Sequence, residues 1–109
     1  MYFIKKLAVI GVVGWLAATI SSPVMAADGE ALIGKYDCMA CHKVDMKLVG
    51  PSFKEVAAKY KGDATAPANL LTKVKNGSAG NWGPIPMIPH PTASDDDLKQ
   101  IIAWILSLS

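Results

Sequence analysis

The sequence predicts an all-α domain of about four short helices, and three observations carry that expectation. After residue 28 there is no convincing alternation of apolar and polar residues, the pattern a half-buried strand requires. The C-terminal segment instead repeats apolar residues at helical spacing: Leu98, Ile101, Ile102, Ile105 and Leu108 share one stripe. The third observation is the run Cys38-Met39-Ala40-Cys41-His42, in a chain with no other cysteine and only one other histidine, His90. That spacing is the attachment signature of a c-type haem, an apolar group around which a small domain can wrap its helices.

The chemistry explains the spacing. Two thiols one helical turn apart can each add across a haem vinyl group, and the next residue then falls beneath the iron. One haem c with its iron, held through Cys38 and Cys41 with His42 as proximal ligand, is therefore the expected cofactor. A dithiol redox motif would want a βαβ context. A structural zinc site would need Cys38, Cys41, His42 and His90 together, yet such sites are usually built from two pairs of ligands and His90 stands alone. A disulfide across so short a loop would add little stability.

The N-terminus points to export. Lys5 and Lys6 precede an apolar stretch over residues 7–20, then Ser21-Ser22-Pro23 and the small-residue pattern Val24-Met25-Ala26. This reads as a signal peptide over residues 1–26, cleaved after Ala26, leaving a single domain over residues 27–109 in the periplasm. The apolar stretch is short for a membrane span, so none is expected in the mature protein. The formal net charge of +2 comes entirely from Lys5 and Lys6, and the mature chain is formally neutral. Nucleic-acid binding has no support from that balance. A domain of about 83 residues has a limited core, so the chain without its cofactor is expected to be largely disordered.

Each helix has its own signals. The first is expected to begin near Asp28 as N-cap, with Ala31, Leu32 and Tyr36 partly inward, and to run into the cysteine motif. Ser52 and Glu55 form a capping box after Pro51, and Phe53, Val56, Ala57 and Tyr60 follow at helical spacing until Gly62 stops the second helix. Pro67 suits a first helical residue, Leu70, Leu71 and Val74 form an inner stripe, and Gly77 ends the third. In the fourth, Ser94 is the cap, and Asp95, Asp96 and Asp97 suit its positive end.

Residues 77–91 hold four prolines and three glycines and are expected to be irregular. Met87 lies within Pro84-Ile85-Pro86-Met87-Ile88-Pro89, where proline limits backbone freedom. A weakly bonding thioether benefits from a loop ordered in advance, which assigns Met87 as the second axial ligand. Met39 lies between the cysteines and Met46 follows them closely, so both belong to the proximal side. His90 is the rival for the second position.

With these residues in place, the mature chain resembles the small bacterial class I cytochromes c, in particular the cytochrome c-551/c-552 group. The resemblance runs through Cys38-Met39-Ala40-Cys41-His42, Val49-Gly50-Pro51, Val56-Ala57-Ala58-Lys59, Lys75-Asn76-Gly77-Ser78, Trp82-Gly83-Pro84-Ile85-Pro86-Met87 and Trp104-Ile105-Leu106-Ser107. It implies the class I cytochrome c fold and a carbonyl of Pro51 that receives the free ring N–H of His42. It also implies that Trp82 donates its indole N–H to a haem propionate. Lys73 stands where well-known members have an arginine near that propionate, giving up the bidentate fork. His90 stands where they have an asparagine near the methionine sulfur, and is expected to modulate the Met87 bond.

The implied function is electron transport rather than catalysis. An iron with both axial positions filled has no room for substrate, and histidine–methionine ligation raises the reduction potential. The resemblance and loop composition suggest an accessible edge ringed by Met39, Ala40, Leu48, Val49, Pro84 and Ile85, with Lys35, Lys43 and Lys47 able to steer an acidic partner. Family members exchange electrons with quinol-oxidising cytochrome complexes, nitrite reductases, terminal oxidases and cytochrome c peroxidases, and a monomeric shuttle is expected. The alternative is a haem peroxidase or gas sensor with a labile methionine ligand, for which His90 is the sole candidate distal acid or base.

Overall fold

The computed structural model describes residues 26–109, so the leader and its cleavage lie outside the described residues. Four helices are present: α1 (Ala26–Lys35), α2 (Phe53–Lys59), α3 (Ala66–Asn76) and α4 (Asp95–Leu106), with a 3₁₀ turn over Cys38–Ala40 after α1. The only bridge outside helices among the described residues is the antiparallel pair Ser78–Met87.

α4 is the hub against which α1, α2 and α3 all pack. Its buried face carries Leu98, Ile101, Ile102, Trp104 and Ile105, and Leu98 is 1% exposed. Three aspartates fill its first turn, where negative charge complements the helix dipole, and Ser94 Oγ accepts from the Asp97 amide at 3.1 Å. Trp104 belongs to the core although the expected stripe omitted it. The crossing of α1 over α4 explains this. A Cβ on Gly29 would lie 2.2 Å from the Gln100 carbonyl oxygen and 2.6 Å from Trp104 Cβ, so glycine permits the backbones to approach.

α1 departs from expectation in three ways. Asp28 lies inside it rather than at its cap, and although Leu32 and Tyr36 are half-buried against the core as expected, the buried side chain is Ile33 and Ala31 is exposed. The register is set by contact with α4, which local sequence does not specify. The helix also stops at Lys35 instead of running into the cysteines. Asp37 adopts the left-handed conformation (φ 57°, ψ 29°), which aspartate tolerates better than most residues, and this turns the chain. Tyr36 Oη and Lys35 Nζ both donate to the Asp97 carboxylate, fastening the end of α1 to the start of α4.

The other two helices follow their sequence signals closely. Ser52 Oγ accepts from the Glu55 amide and the Ser52 amide donates to Glu55 Oε2, both at 3.0 Å, completing the capping box. In α3 Pro67 is the second helical residue and Leu70 is the buried one of its stripe, with Leu71 and Val74 half-buried. Gly77 ends α3 at φ 79° and ψ 167°, a region open essentially to glycine alone.

Candidate haem site

The left-handed Asp37 launches the cysteine motif. The Cys41 and His42 amides both donate to the Cys38 carbonyl, at 3.3 and 3.0 Å, which fixes His42 one tight turn beyond Cys38. Both thiols are half-buried and unpaired. Burial pushes the Cys38 thiol above its ordinary value; a backbone hydrogen bond opposes this and the negative charge of Asp37 adds to it.

His42 is the most constrained side chain of the region. Its Nδ1 lies 2.8 Å from the Pro51 carbonyl oxygen. A carbonyl only accepts, so the proton sits on Nδ1 and Nε2 keeps a lone pair for a metal. The ring stacks on Phe53 with centroids 5.3 Å apart and planes inclined by 22°. Phe53 meets Trp104 of α4 edge-on at 5.5 Å, so an aromatic chain ties the imidazole to the core. Gly50 also lies close to the ring, where a Cβ would stand 2.6 Å from His42 Cε1. Gly50 itself is placed by donation to the Cys41 carbonyl at 2.8 Å. Val49-Gly50-Pro51 was legible as a motif; the packing of Gly50 against the imidazole was not, because residues eight apart meet only in the folded loop.

Met87 is placed by backbone. Its amide donates to the Ser78 carbonyl at 2.7 Å, and its carbonyl accepts from the Ser78 amide at 3.2 Å. The His90 amide donates to the Val74 carbonyl at 2.9 Å, closing residues 77–91 onto the end of α3. Gly77 is required here as well, since a Cβ would lie 2.8 Å from the Met87 carbonyl oxygen. His90 does not join the cysteines: among the described residues no three His, Cys, Asp or Glu side chains converge as a metal-binding group. The zinc reading therefore lacks its site.

Lys73 and Trp82 have different partners. Lys73 Nζ donates to Tyr60 Oη at 3.3 Å, and Lys59 Nζ lies 4.3 Å over the Trp82 ring. Trp82 is 38% exposed, so ordinary core packing does not describe it. Among the described residues the exposed large apolar side chains fall in two segments, Met46, Leu48 and Val49 in one, and Trp82, Ile85 and Ile88 in the other. Met39 is not among them, being half-buried against the helical core. Lys35, expected to help steer a partner, is instead paired with Asp97 at 3.1 Å.

This donor set fits a haem. It offers two unpaired thiols, an imidazole with Nε2 available, and two apolar segments carrying the loops that hold His42 and Met87. The family described as Cytochrome c matches residues 26–109. Cytochrome c-551 of Stutzerimonas stutzeri is 50% identical over 91 residues, 84% of this chain and 86% of that protein. Cytochrome c-551 of Pseudomonas aeruginosa is 50% identical over 82 residues, 75% of this chain and 78% of that protein. The crystal structure of wild-type Nitrosomonas europaea cytochrome c552 is similar with a TM-score of 0.71 at 46% identity, covering 73% of this chain and 99% of that one. With two cysteines, four helices and this likeness over the whole described region, the chain belongs to the cytochrome c family, small all-α electron carriers without enzymatic activity that hold haem c covalently.

Proposed function

We propose that the mature chain is a periplasmic one-electron carrier whose haem is attached at Cys38 and Cys41 and ligated by His42 and Met87. The observation that carries this reading is the 2.8 Å contact between His42 Nδ1 and the Pro51 carbonyl. It fixes the tautomer, leaves Nε2 for iron and raises the basicity of the ring. When bound, the haem supplies a one-electron couple whose potential histidine–methionine ligation raises. The protein contributes rigidity: the imidazole packs closely on Gly50 and stacks on Phe53, and the Met87 backbone is paired with Ser78. Little reorganisation is then needed when the oxidation state changes.

Exposed Leu48, Val49, Pro84 and Ile85 form an apolar contact surface for outer-sphere transfer to redox proteins. Such encounters bury little area and exchange quickly. Lys43 and Lys47 remain the steering charges near the motif. Quinol-oxidising complexes, nitrite reductases, terminal oxidases and cytochrome c peroxidases are the partners to try. Residues 1–26 direct export and are removed after Ala26, which N-terminal sequencing of the periplasmic protein reads directly.

The deciding experiment is the absorption spectrum of the purified protein in both redox states. A weak far-red methionine-to-ferric-iron band is expected, and Met87→Ala removes it. Should His90→Ala abolish the low-spin spectrum while Met87→Ala retains it, the ligand is His90 and the assignment falls.

A further inference from the structure

The loop that carries Met87 leaves the end of α3 and returns at the first turn of α4, and its two ends are tied together. Lys75, in the last turn of α3, donates through Nζ to Asp95 Oδ1 in the first turn of α4. Of the ion pairs among the described residues, Lys35–Asp97 joins α1 to α4 and Lys54–Asp45 joins α2 to the segment before it, whereas Lys75–Asp95 joins α3 to α4. Next inward, the His90 amide donates to the Val74 carbonyl at 2.9 Å, and beyond it Ser78 and Met87 exchange two backbone hydrogen bonds at 2.7 and 3.2 Å.

The rungs differ in kind. The inner ones are backbone hydrogen bonds set by chain geometry, with Gly77 letting the Met87 carbonyl and Pro89 approach. The outer one is electrostatic, and each of its side chains sits at the helix end its charge favours, a cation at the C-terminus of α3 and an anion at the N-terminus of α4. The hydrogen bond and charge of Lys75, joined by the charge of Lys99, hold the Asp95 carboxyl below the usual carboxylate range, so the pair is fully charged at neutral pH. The two side chains are 36% and 57% exposed, which keeps the pair weak and easily reopened. Asp96, the next residue, is exposed and takes no part in these pairs.

We infer that Lys75 and Asp95 are a positioning pair, a clasp at the base of residues 77–91 that sets how readily Met87 gives way to another ligand. The inference rests on the proposed ligation by Met87. Opening the loop far enough to withdraw the thioether separates its two ends, which breaks the ion pair together with the His90 and Met87 hydrogen bonds. An interaction kept in the closed state and lost in the open one shifts the balance between them by its whole strength. For a pair this exposed the shift is a factor of about three. Proline alone does not supply it, because proline stiffens each stretch of the loop without holding the two ends together.

The test is a double-mutant cycle on the ferric holoprotein, titrated with imidazole at mildly alkaline pH and followed by loss of the far-red band. Imidazole is neutral there, so removing a charge does not alter its encounter with the protein. Lys75→Gln and Asp95→Asn each raise imidazole affinity about threefold, and the double variant exceeds neither, because the two charges act as one pair. Asp96→Asn, which removes a charge from the same helix end, leaves the affinity unchanged. In amide hydrogen exchange, Met87 and His90 exchange about threefold faster in Lys75→Gln and Asp95→Asn than in the wild type. Additive effects in the cycle, or an equal effect from Asp96→Asn, would reveal a general field rather than a clasp and overturn the inference. So would a lowered thermal midpoint with the imidazole affinity and the two amides unmoved, which would make the pair a plain brace between α3 and α4. A wild-type spectrum without the far-red band refutes the Met87 ligation; the two amides then decide the clasp, faster exchange in the variants upholding it and unchanged exchange overturning it.

Discussion

The two segments that carry the proposed ligands are held in opposite ways. His42 is fixed through its side chain, by a hydrogen bond to Pro51, a stack on Phe53 and the closeness of Gly50. Met87 is fixed through its backbone, by pairing with Ser78 within a proline-rich loop whose Ile85 and Ile88 are 61% and 65% exposed. The His42 imidazole thus shares its fate with the core, whereas the placement of the Met87 thioether depends on local chain stiffness. Damage on the first side should cost the fold, and damage on the second should cost the ligand.

The most severe break is Phe53→Ala. Phe53 is 3% exposed and joins His42 to Trp104, so its loss should destabilise the protein by about 3–5 kcal/mol in denaturant titration and lower the yield of haem-loaded protein. Gly50→Ala comes next, forcing the imidazole off Pro51 at about 3 kcal/mol, the upper end of overpacking costs. Both should lower stability and disturb the proximal ligand together. On the other side Gly77→Ala places a side chain at φ 79° and 2.8 Å from the Met87 carbonyl. Here a cost of about 2 kcal/mol should accompany selective loss of the far-red band, with the Soret band of attached haem retained. Equal spectral damage from Gly50→Ala and Gly77→Ala would erase the distinction.

The smallest effect concerns acid. Hydrogen bonds from Tyr36 first, and then Lys35, hold the Asp97 carboxyl below the usual carboxylate range. A folded value below the unfolded one means that this contribution is complete above the ordinary carboxylate pKa and is lost as pH falls through and below it. Tyr36→Phe should therefore lower the thermal midpoint slightly at neutral pH and flatten its fall between pH 5 and the depressed folded value. An unchanged acid limb would show that this α1–α4 fastening contributes nothing.

What was legible in the sequence was local. The Ser52–Glu55 box, the Ser94 cap and the Gly77 stop are each specified within a few residues, and each stands where expected. The proposed ligand residues were picked out from equally local features, since spacing and proline content are properties of short segments. Burial of Ile33, Gly29 and Trp104 was missed because it arises only when α1 crosses α4. The partner of Lys73 was hidden likewise: the hydroxyl it meets lies thirteen residues away, just past the end of another helix. The left-handed turn at Asp37 gave no glycine to announce it.

The aromatic chain from His42 through Phe53 to Trp104 bears on how this protein can vary over evolutionary time. Substitutions on the buried face of the C-terminal helix are not free to tune heat resistance alone, because any tilt of the Trp104 indole is passed through one ring to the imidazole. Lineages adapting this protein to a hotter or colder habitat would be expected to place their changes on exposed positions such as Lys61, Ala68 or Lys99, leaving the redox couple undisturbed.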